Sequence, residues 1–239
     1  MSGFWKILNK TDGGDVLDVA CGNGQFIEIL KENLQSFSHI TGIDFDKKAI
    51  EEVKSRFDDS RFTFVHGNSD DMPFPGEHFN LVSISKGLHH LKEIRQSLKE
   101  MHRVLKWNGL MIISEMYSDD LTESQKSHMY YHHLKADVDR FLGIPHHHTF
   151  RKHEIVGLVH ELNLRDMTIH NLDQNPEIKE NPEDYIAKME VWKEHFRDSD
   201  LEREMHLKIE ALKHRFREKG LSSPPHLVIM GYKQEPLTK

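Results

Sequence analysis

The stretch that decides the fold is Val16-Leu17-Asp18-Val19-Ala20-Cys21-Gly22-Asn23-Gly24. Its apolar residues at positions 16, 17 and 19 predict a short buried strand, and two glycines follow that strand at once. Beyond Gly24, apolar residues recur at helical spacing and predict a helix over 23–34. A strand, a glycine loop and a helix in this order allow a ligand to lie directly against the backbone.

A second predicted strand, over 39–43, ends on Asp44, twenty residues after Gly24. A carboxylate at that position can accept two hydrogen bonds from a ribose diol, so the loop and the acid together predict a nucleoside-containing cofactor. A dinucleotide fingerprint needs a third glycine where this chain has Ile27, which disfavours a dehydrogenase. Asp18, directly before the loop, suits a cofactor that carries a positively charged amino group.

The composition indicates a highly charged globular protein. The 239 residues are 37% hydrophobic and 30% charged, and the formal net charge is -7. This charge disfavours broad binding to a nucleic-acid backbone. The sequence shows neither an apolar run of about 20 residues nor a secretory pattern, so we expect no membrane partner and a cytoplasmic location. The single cysteine, Cys21, excludes an intrachain disulfide and fits a reducing compartment.

Strands and helices alternate through the first half, which predicts a parallel sheet covered by helices. The predicted strands lie at 15–19, 39–43, 62–66, 79–84 and 109–116. The predicted helices lie at 23–34, 47–57 and 91–105. Asp46 is a predicted N-cap, and Gly109 is interpreted as a helix stop.

The second half is less regular. Its predicted elements are helices over 119–142 and 151–162, a strand over 165–172, two amphipathic helices within 183–219 and a last strand over 226–232. Asn175-Pro176 and Asn181-Pro182 mark a loop. The amphipathic helices are predicted to support a lid or to form a homodimer surface.

The motifs of the first half resemble those of the class I S-adenosylmethionine-dependent methyltransferases. The matching segments, in the expected order, are 17–24, 42–46, 67–74, 79–82, 88–91 and 103–109. The resemblance implies an α/β, Rossmann-like fold with a seven-stranded, mostly parallel sheet, its last strand antiparallel and helices on both faces. Residues 1–239 would form a single domain. Segments 119–150 and 176–222 would be helical inserts, the first of them a cover over the substrate.

The same resemblance implies a set of cofactor contacts. Asp18 and the loop from Ala20 through Gly22 to Gly24 would hold the methionine end of S-adenosylmethionine, and Ser85 would lie near it. Asp44 would hold the ribose hydroxyls, and Phe45 would pack on adenine. Asn68 and Ser69 would contact the adenine edge, with an amide at position 68 where the family often has an acid. The product would be S-adenosylhomocysteine.

Methyl transfer from a sulfonium is an in-line displacement, in which the protein mainly aligns the acceptor and excludes water. A base is needed only when the acceptor must lose a proton. His89 and His90 follow the fourth predicted strand, and Glu115 and Tyr117 end the fifth. We therefore predict catalytic roles for His89, His90 and Glu115, and a substrate contact for Tyr117.

Histidine is unusually frequent, with 19 residues. The candidate substrate residues among them are His128, His132, His146, His147 and His148. His128 and His132 are one helical turn apart, a spacing that suits shared metal ligation. In decreasing order of expectation, the cluster is a set of surface histidines, a substrate-binding group, or a divalent metal site built from His128, His132, His146 and His148.

The leading hypothesis is a methyltransferase for a small-molecule acceptor, with no nucleic-acid partner. The alternatives are a protein or RNA methyltransferase and a non-catalytic protein that binds S-adenosylmethionine. The sequence leaves open which atom of the acceptor is methylated.

Overall fold

The computed structural model describes residues 3–172 and 180–235. The predicted loop residues Asn175 and Pro176 lie outside these ranges. Seven strands form one sheet, and their bounds are β1 Asp15–Val19, β2 His39–Asp44, β3 Phe62–His66, β4 Phe79–Ser85, β5 Leu105–Met116, β6 Arg165–Leu172 and β7 His226–Tyr232.

The strand order across the sheet is β3-β2-β1-β4-β5-β7-β6. Strand β1 pairs in parallel with both β2 and β4, and the pairs β2·β3 and β4·β5 are parallel as well. The other end of the sheet is antiparallel, so the predicted mostly parallel Rossmann-like fold is confirmed. Because the chain leaves β1 toward β2 on one side and returns to β4 on the other, the strand order reverses beside β1, where ligands bind in such sheets.

The helices are α1 Gly3–Leu8, α2 Gln25–Asn33, α3 Lys47–Lys54, α4 Ile94–Val104, α5 Glu123–Phe141, α6 Lys152–His160, α7 Pro182–Lys193 and α8 Glu202–Lys219. Single 3₁₀ turns span Leu88–His90 and Glu194–Phe196. The predicted N-cap of α3 is confirmed, since the Asp46 side chain accepts a hydrogen bond from the Lys48 backbone N–H at 2.8 Å. Helix α5 begins with a capping box formed by Thr122 and Gln125.

One prediction about local structure was wrong, and one helix was missed. Gly109 is not a helix stop, because α4 already ends at Val104 and the chain enters β5 directly at Leu105. The departure from regular geometry lies inside the strand, where Asn108 has a φ of 61° and the register with β4 shifts. Helix α1 was not predicted at all, although its residues Phe4 and Leu8 are buried.

The described chain divides into two compact units. The sheet unit comprises residues 3–115, 153–172 and 227–235, and the helical unit comprises 116–152 and 180–226. The predicted single-domain organisation with two inserts stays a prediction. No helix in the described ranges is long and apolar enough to span a bilayer, and the cytoplasmic location also stays a prediction.

The apolar faces predicted within 183–219 form the core of the helical unit. Met189 and Trp192 of α7 pack in one buried cluster with Ile209 and Phe216 of α8 and with Leu134 of α5. The periodic residues that suggested a homodimer surface are therefore already buried within this unit. The predicted homodimer stays a prediction.

Candidate cofactor and catalytic site

The glycine loop after β1 has the backbone conformation that a close ligand approach requires. Gly22 has a φ of 50°, and a β-carbon built there would meet no atom within 4 Å. Gly24 has a φ of 83° and leaves no such room, since a β-carbon would lie 2.7 Å from the Phe57 ring. Ala20 also has a positive φ, 53°, which concentrates backbone strain at this loop. The loop thus presents open backbone at Gly22 and close packing at Gly24.

The Asp44 carboxylate joins the end of β2 to this loop. One oxygen, Oδ2, accepts a hydrogen bond from the Gly22 backbone N–H at 2.8 Å, and Oδ1 accepts one from the Asp46 N–H at 2.9 Å. The side chain is buried, with 7% of its surface exposed. Each carboxylate oxygen can accept about two hydrogen bonds, so both retain capacity for a ligand.

A shallow pocket of about 280 Å³, a volume that includes open solvent, lies beside Asp44. Its lining residues come from the ends of β1, β2 and β3 and from the turn after β4: Ala20, Ile43, Asp44, Phe45, Gly67, Ser69, His90 and Leu91. Phe45 is 50% exposed, unusual for so large an apolar ring and suited to stacking against a flat ligand. The pocket combines apolar walls, one aromatic face and one buried carboxylate, a composition typical of nucleoside sites.

Asp18 lies beneath the loop and is almost fully buried. Its Oδ1 accepts a hydrogen bond from the Ser83 hydroxyl at 2.7 Å. Burial raises the pKa of Asp18 to about 7. The charge of Asp44 also raises this pKa, whereas the hydrogen bond from Ser83 lowers it. A carboxyl group that titrates near neutrality inside a ligand site can respond to a cationic ligand.

The structure separates the predicted cofactor residues into groups. Ala20, Asp44, Phe45 and Ser69 line the pocket. Gly22, Gly24 and Asp18 shape or support the loop, whereas Asn68 is exposed, Ser85 is half-buried, and neither lies among the described residues that line this pocket. The Ser69 hydroxyl is hydrogen-bonded to that of Ser97 at 2.8 Å.

Sequence reasoning missed three lining residues, Ile43, Gly67 and Leu91, and the supporting hydroxyl of Ser83. Ser83 had a signal, since it is a polar residue between apolar neighbours in β4. The three lining residues gave no such signal, because apolar residues and glycine at strand ends serve packing equally well.

The three predicted catalytic residues lie close together in the sheet unit. His89 Nδ1 is 2.9 Å from Glu115 Oε1, and both side chains are buried. When His89 donates its Nδ1 proton to this carboxylate, Nε2 carries the lone pair, as a general base requires. The rings of His89 and His90 are in contact, with centroids 4.2 Å apart, and His90 itself lines the pocket beside Asp44.

The other predicted substrate residues belong to the helical unit, where two of the four predicted metal ligands, His132 and His146, lie within hydrogen-bond distance of each other. His128 Nδ1 is 3.2 Å from Glu180 Oε2, and His148 Nε2 is 3.0 Å from Asp137 Oδ1. Each therefore has a carboxylate partner of its own, and the predicted sharing of a metal by His128 and His132 stays a prediction.

The remaining members of this set differ in exposure. His147 is exposed, whereas His132 and His146 are buried, which contradicts a purely superficial cluster. Tyr117 is buried beneath the Lys152 ammonium, which lies 4.4 Å from its ring centroid.

Comparison with known proteins gives the family of the first half. Residues 17–113 match the family described as methyltransferase domain. The demethylmenaquinone methyltransferase of Listeria welshimeri is 35% identical over 108 residues, which cover 44% of this chain and 45% of the relative. The match therefore spans about half the length of such curated relatives.

Solved structures share the fold over nearly the whole chain. The YcgJ protein of Bacillus subtilis superposes with a TM-score of 0.64 at 17% identity, covering 98% of this chain and 97% of that one. Phosphoethanolamine N-methyltransferase 2 of Haemonchus contortus, solved with phosphomonomethylethanolamine and S-adenosylhomocysteine, gives a TM-score of 0.60 at 16% identity. It covers 96% of this chain and 51% of its own. At these identities the likeness concerns the fold alone.

Proposed function

We propose that this chain transfers a methyl group from S-adenosylmethionine to a small-molecule acceptor, as a class I S-adenosylmethionine-dependent methyltransferase whose residues 17–113 match the methyltransferase domain family. The single observation that carries the proposal is the buried Asp44 carboxylate. It is fixed by two backbone N–H groups at the edge of the pocket that Phe45 and Ser69 also line. A carboxylate held in this way is ready to accept the two hydroxyls of a ribose.

The pocket suggests one orientation for the cofactor. The ribose lies on Asp44, adenine packs on Phe45 with its edge toward Ser69, and the methionine end extends over the open backbone at Gly22. Asp18, supported by Ser83, supplies negative charge for the cofactor's amino group. Because S-adenosylmethionine is bound in a fixed position, the rate of transfer depends mainly on how well the acceptor is aligned with the methyl group.

We assign the proton transfer to His89, with Glu115 as its positioning residue. In the transfer, the acceptor's lone pair forms a bond to the methyl carbon as the carbon–sulfur bond breaks, and the bonding electrons stay on sulfur. The proton that a neutral acceptor loses passes to Nε2 of His89, because Nδ1 is held by Glu115. His90 contributes to the cofactor pocket instead.

A small-molecule acceptor is supported by the name of the Listeria relative and by the net charge of -7. That charge counts against an RNA substrate, whose backbone favours basic surfaces, but it leaves protein substrates as an alternative. The cover over the acceptor predicted for 119–150 stays a prediction.

The test is methyl transfer from cofactor labelled at its methyl group, with the full chain and four acceptor classes. The panel contains a naphthoquinol, phosphoethanolamine, a peptide library and structured RNA. Label on a small molecule supports the proposal. Label on peptide or RNA overturns the acceptor class, and tight cofactor binding without any transfer identifies a binding protein.

The assignment of His89 is tested on the acceptor found in this way. His89→Gln should lower kcat by about 10²- to 10⁴-fold, the usual contribution of a general base, with unchanged affinity for S-adenosylhomocysteine. Glu115→Gln should shift the pH profile of kcat as well as lower it. His90→Gln should instead weaken cofactor binding, and equal effects of the two histidine variants on affinity would contradict the assignment.

A further inference from the structure

Two buried histidines of the helical unit direct the same ring nitrogen at each other. His132 lies on α5, and His146 lies in the segment that follows this helix. Their exposed fractions are 8% and 4%, and the two Nε2 atoms are 3.1 Å apart. The rings stand nearly perpendicular, at 76°. None of the cofactor or proton-transfer steps proposed above uses this pair.

Asp139 fixes the orientation of His146. Its Oδ2 is 2.6 Å from His146 Nδ1, and its other oxygen is paired with the Lys135 ammonium. At this distance the Asp139 carboxylate accepts the Nδ1 proton of His146, so the neutral His146 ring carries its lone pair on Nε2, toward His132.

A carboxylate that holds one nitrogen of a histidine while the other faces a second imidazole is the arrangement found around protein-bound zinc. Two nitrogens bound tetrahedrally to one zinc ion at about 2.0–2.1 Å lie roughly 3.3 Å apart, close to the spacing of this pair. Imidazole donors favour zinc, copper or nickel over magnesium or calcium. The exposed His147 beside the pair provides a natural comparison.

We propose that Nε2 of His132 and Nε2 of His146 bind one divalent transition metal of the zinc type, with Asp139 as the group that orients His146. The remaining coordination positions are filled by water or by a further ligand. Without the metal, the two nitrogens share a single hydrogen bond. Binding the ion requires the proton on Nε2 of His132 to move to Nδ1 of the same ring, so that both Nε2 atoms present a lone pair to the metal.

The experiment uses the full chain, expressed without a histidine tag and freed of metal by a chelator. Zinc is titrated in competition with a chromophoric chelator, and X-ray absorption at the zinc edge counts the imidazole ligands. We expect one tight equivalent with two imidazoles. His132→Gln and His146→Gln should each weaken it at least 100-fold, and Asp139→Asn should weaken it by about 10- to 100-fold, as loss of an orienting carboxylate does. His147→Gln should leave the affinity for zinc unchanged.

Either of two results overturns the proposal: wild-type protein that binds zinc no more tightly than the folded His132→Gln/His146→Gln variant, or bound zinc with fewer than two imidazoles. The second measurement needs only wild-type protein, so a variant that fails to fold does not prevent a decision. Neither readout involves methyl transfer, which keeps this proposal separate from the proposed function.

Discussion

The sheet unit and the helical unit place their polar side chains in different ways. In the sheet unit, Asp18 and Asp44 lie on parallel strands, so the sheet itself brings them to one edge. In the helical unit, His146 lies outside any helix and is fixed by Asp139, seven residues earlier in the chain. Its site depends on how one segment folds back on α5, and no strand register determines it.

This difference teaches where sequence motifs are informative. A residue at the end of a parallel strand has a predictable position, because parallel strands place their carboxyl ends at the same edge of the sheet. The position of a histidine on a helix or in a loop cannot be predicted in this way, because it depends on which elements pack around it. We therefore expect the two units to respond separately to substitution, and the following predictions test that expectation.

The largest effect should come from Phe216→Ala in the core of the helical unit. Phe216 is 1% exposed, and removing its ring should cost about 3–5 kcal/mol. Urea unfolding measures the loss, and hydrogen exchange of α5 and α8 locates it. Leu207→Ala on the same helix is the control, since Leu207 is 64% exposed and should change stability by less than about 0.5 kcal/mol.

Cofactor affinity in Phe216→Ala should stay within a factor of about three of wild type, because every residue lining the 280 Å³ pocket belongs to the sheet unit. A tenfold loss of affinity for S-adenosylhomocysteine would contradict the expectation that the two units respond separately to substitution.

Asp44→Ala should have the next largest effect, on cofactor binding. The substitution removes a buried acceptor of charge-assisted hydrogen bonds and should weaken S-adenosylmethionine binding by about 100-fold, or roughly 3 kcal/mol. It also leaves the Gly22 and Asp46 N–H groups without this acceptor, so some stability is lost too. Calorimetry measures the affinity. Asp46→Asn, which retains an N-cap on α3, should bind normally, and equal losses in both variants would refute the assignment.

Asp18 should make both stability and cofactor affinity depend on pH. Its folded pKa of about 7 lies above its ordinary value of 3.8, so its stabilising contribution is complete below pH 4 and is lost as the pH rises through 7. Asp18→Asn should therefore have a higher Tm than wild type at pH 8, with no advantage at pH 4.

The charged form of Asp18 is the one that attracts a cationic amino group. Affinity for S-adenosylmethionine should thus rise by up to about tenfold per pH unit below pH 7 and level off above it. Asp18→Asn should flatten this dependence, and an unchanged slope in the variant would assign the titration to another group.

The smallest expected effect is a gain in stability at a site remote from the chemistry. Gly157 lies within α6, and a β-carbon there meets nothing within 4 Å. Gly157→Ala should stabilise the protein by about 0.5–1 kcal/mol through helix propensity.

Gly24→Ala should have the opposite effect on stability. Because Gly24 has a φ of 83° and lies beside the Phe57 ring, a side chain there should cost at least about 1–2 kcal/mol. Thermal unfolding of both variants decides the signs.

The sequence predicted most of the sheet and the centre of the cofactor pocket for one physical reason. Apolar strands followed by glycine or aspartate are local patterns. They pointed to Asp44, the family resemblance added Ala20 and Ser69, and the structure places all three in the lining of one pocket, where their contacts with a cofactor stay predictions. The start of β5 at Leu105 escaped prediction, because Gly109 is as common in a turn as in an irregular strand.

Tertiary contacts escaped prediction as well. The spacing of His128 and His132 is compatible with shared ligation of a metal. The ion-pair contact between His128 and Glu180, which lies fifty-two residues further along the chain, could not be predicted from that spacing. Helical spacing states which side chains share a face, and it contains no information on what packs against that face.

The position of β7 has a consequence for the order in which this molecule assembles during its synthesis. Strand β7 follows the other six described strands along the chain, yet it lies between β5 and β6 in the sheet. The first five strands can pair as soon as they leave the ribosome, whereas β6 has to wait, unpaired, until residues 226–232 emerge. A nascent chain stalled shortly before β7 would therefore expose the open edge of the sheet at β5 and the unpaired strand β6, and both would attract chaperones and proteases.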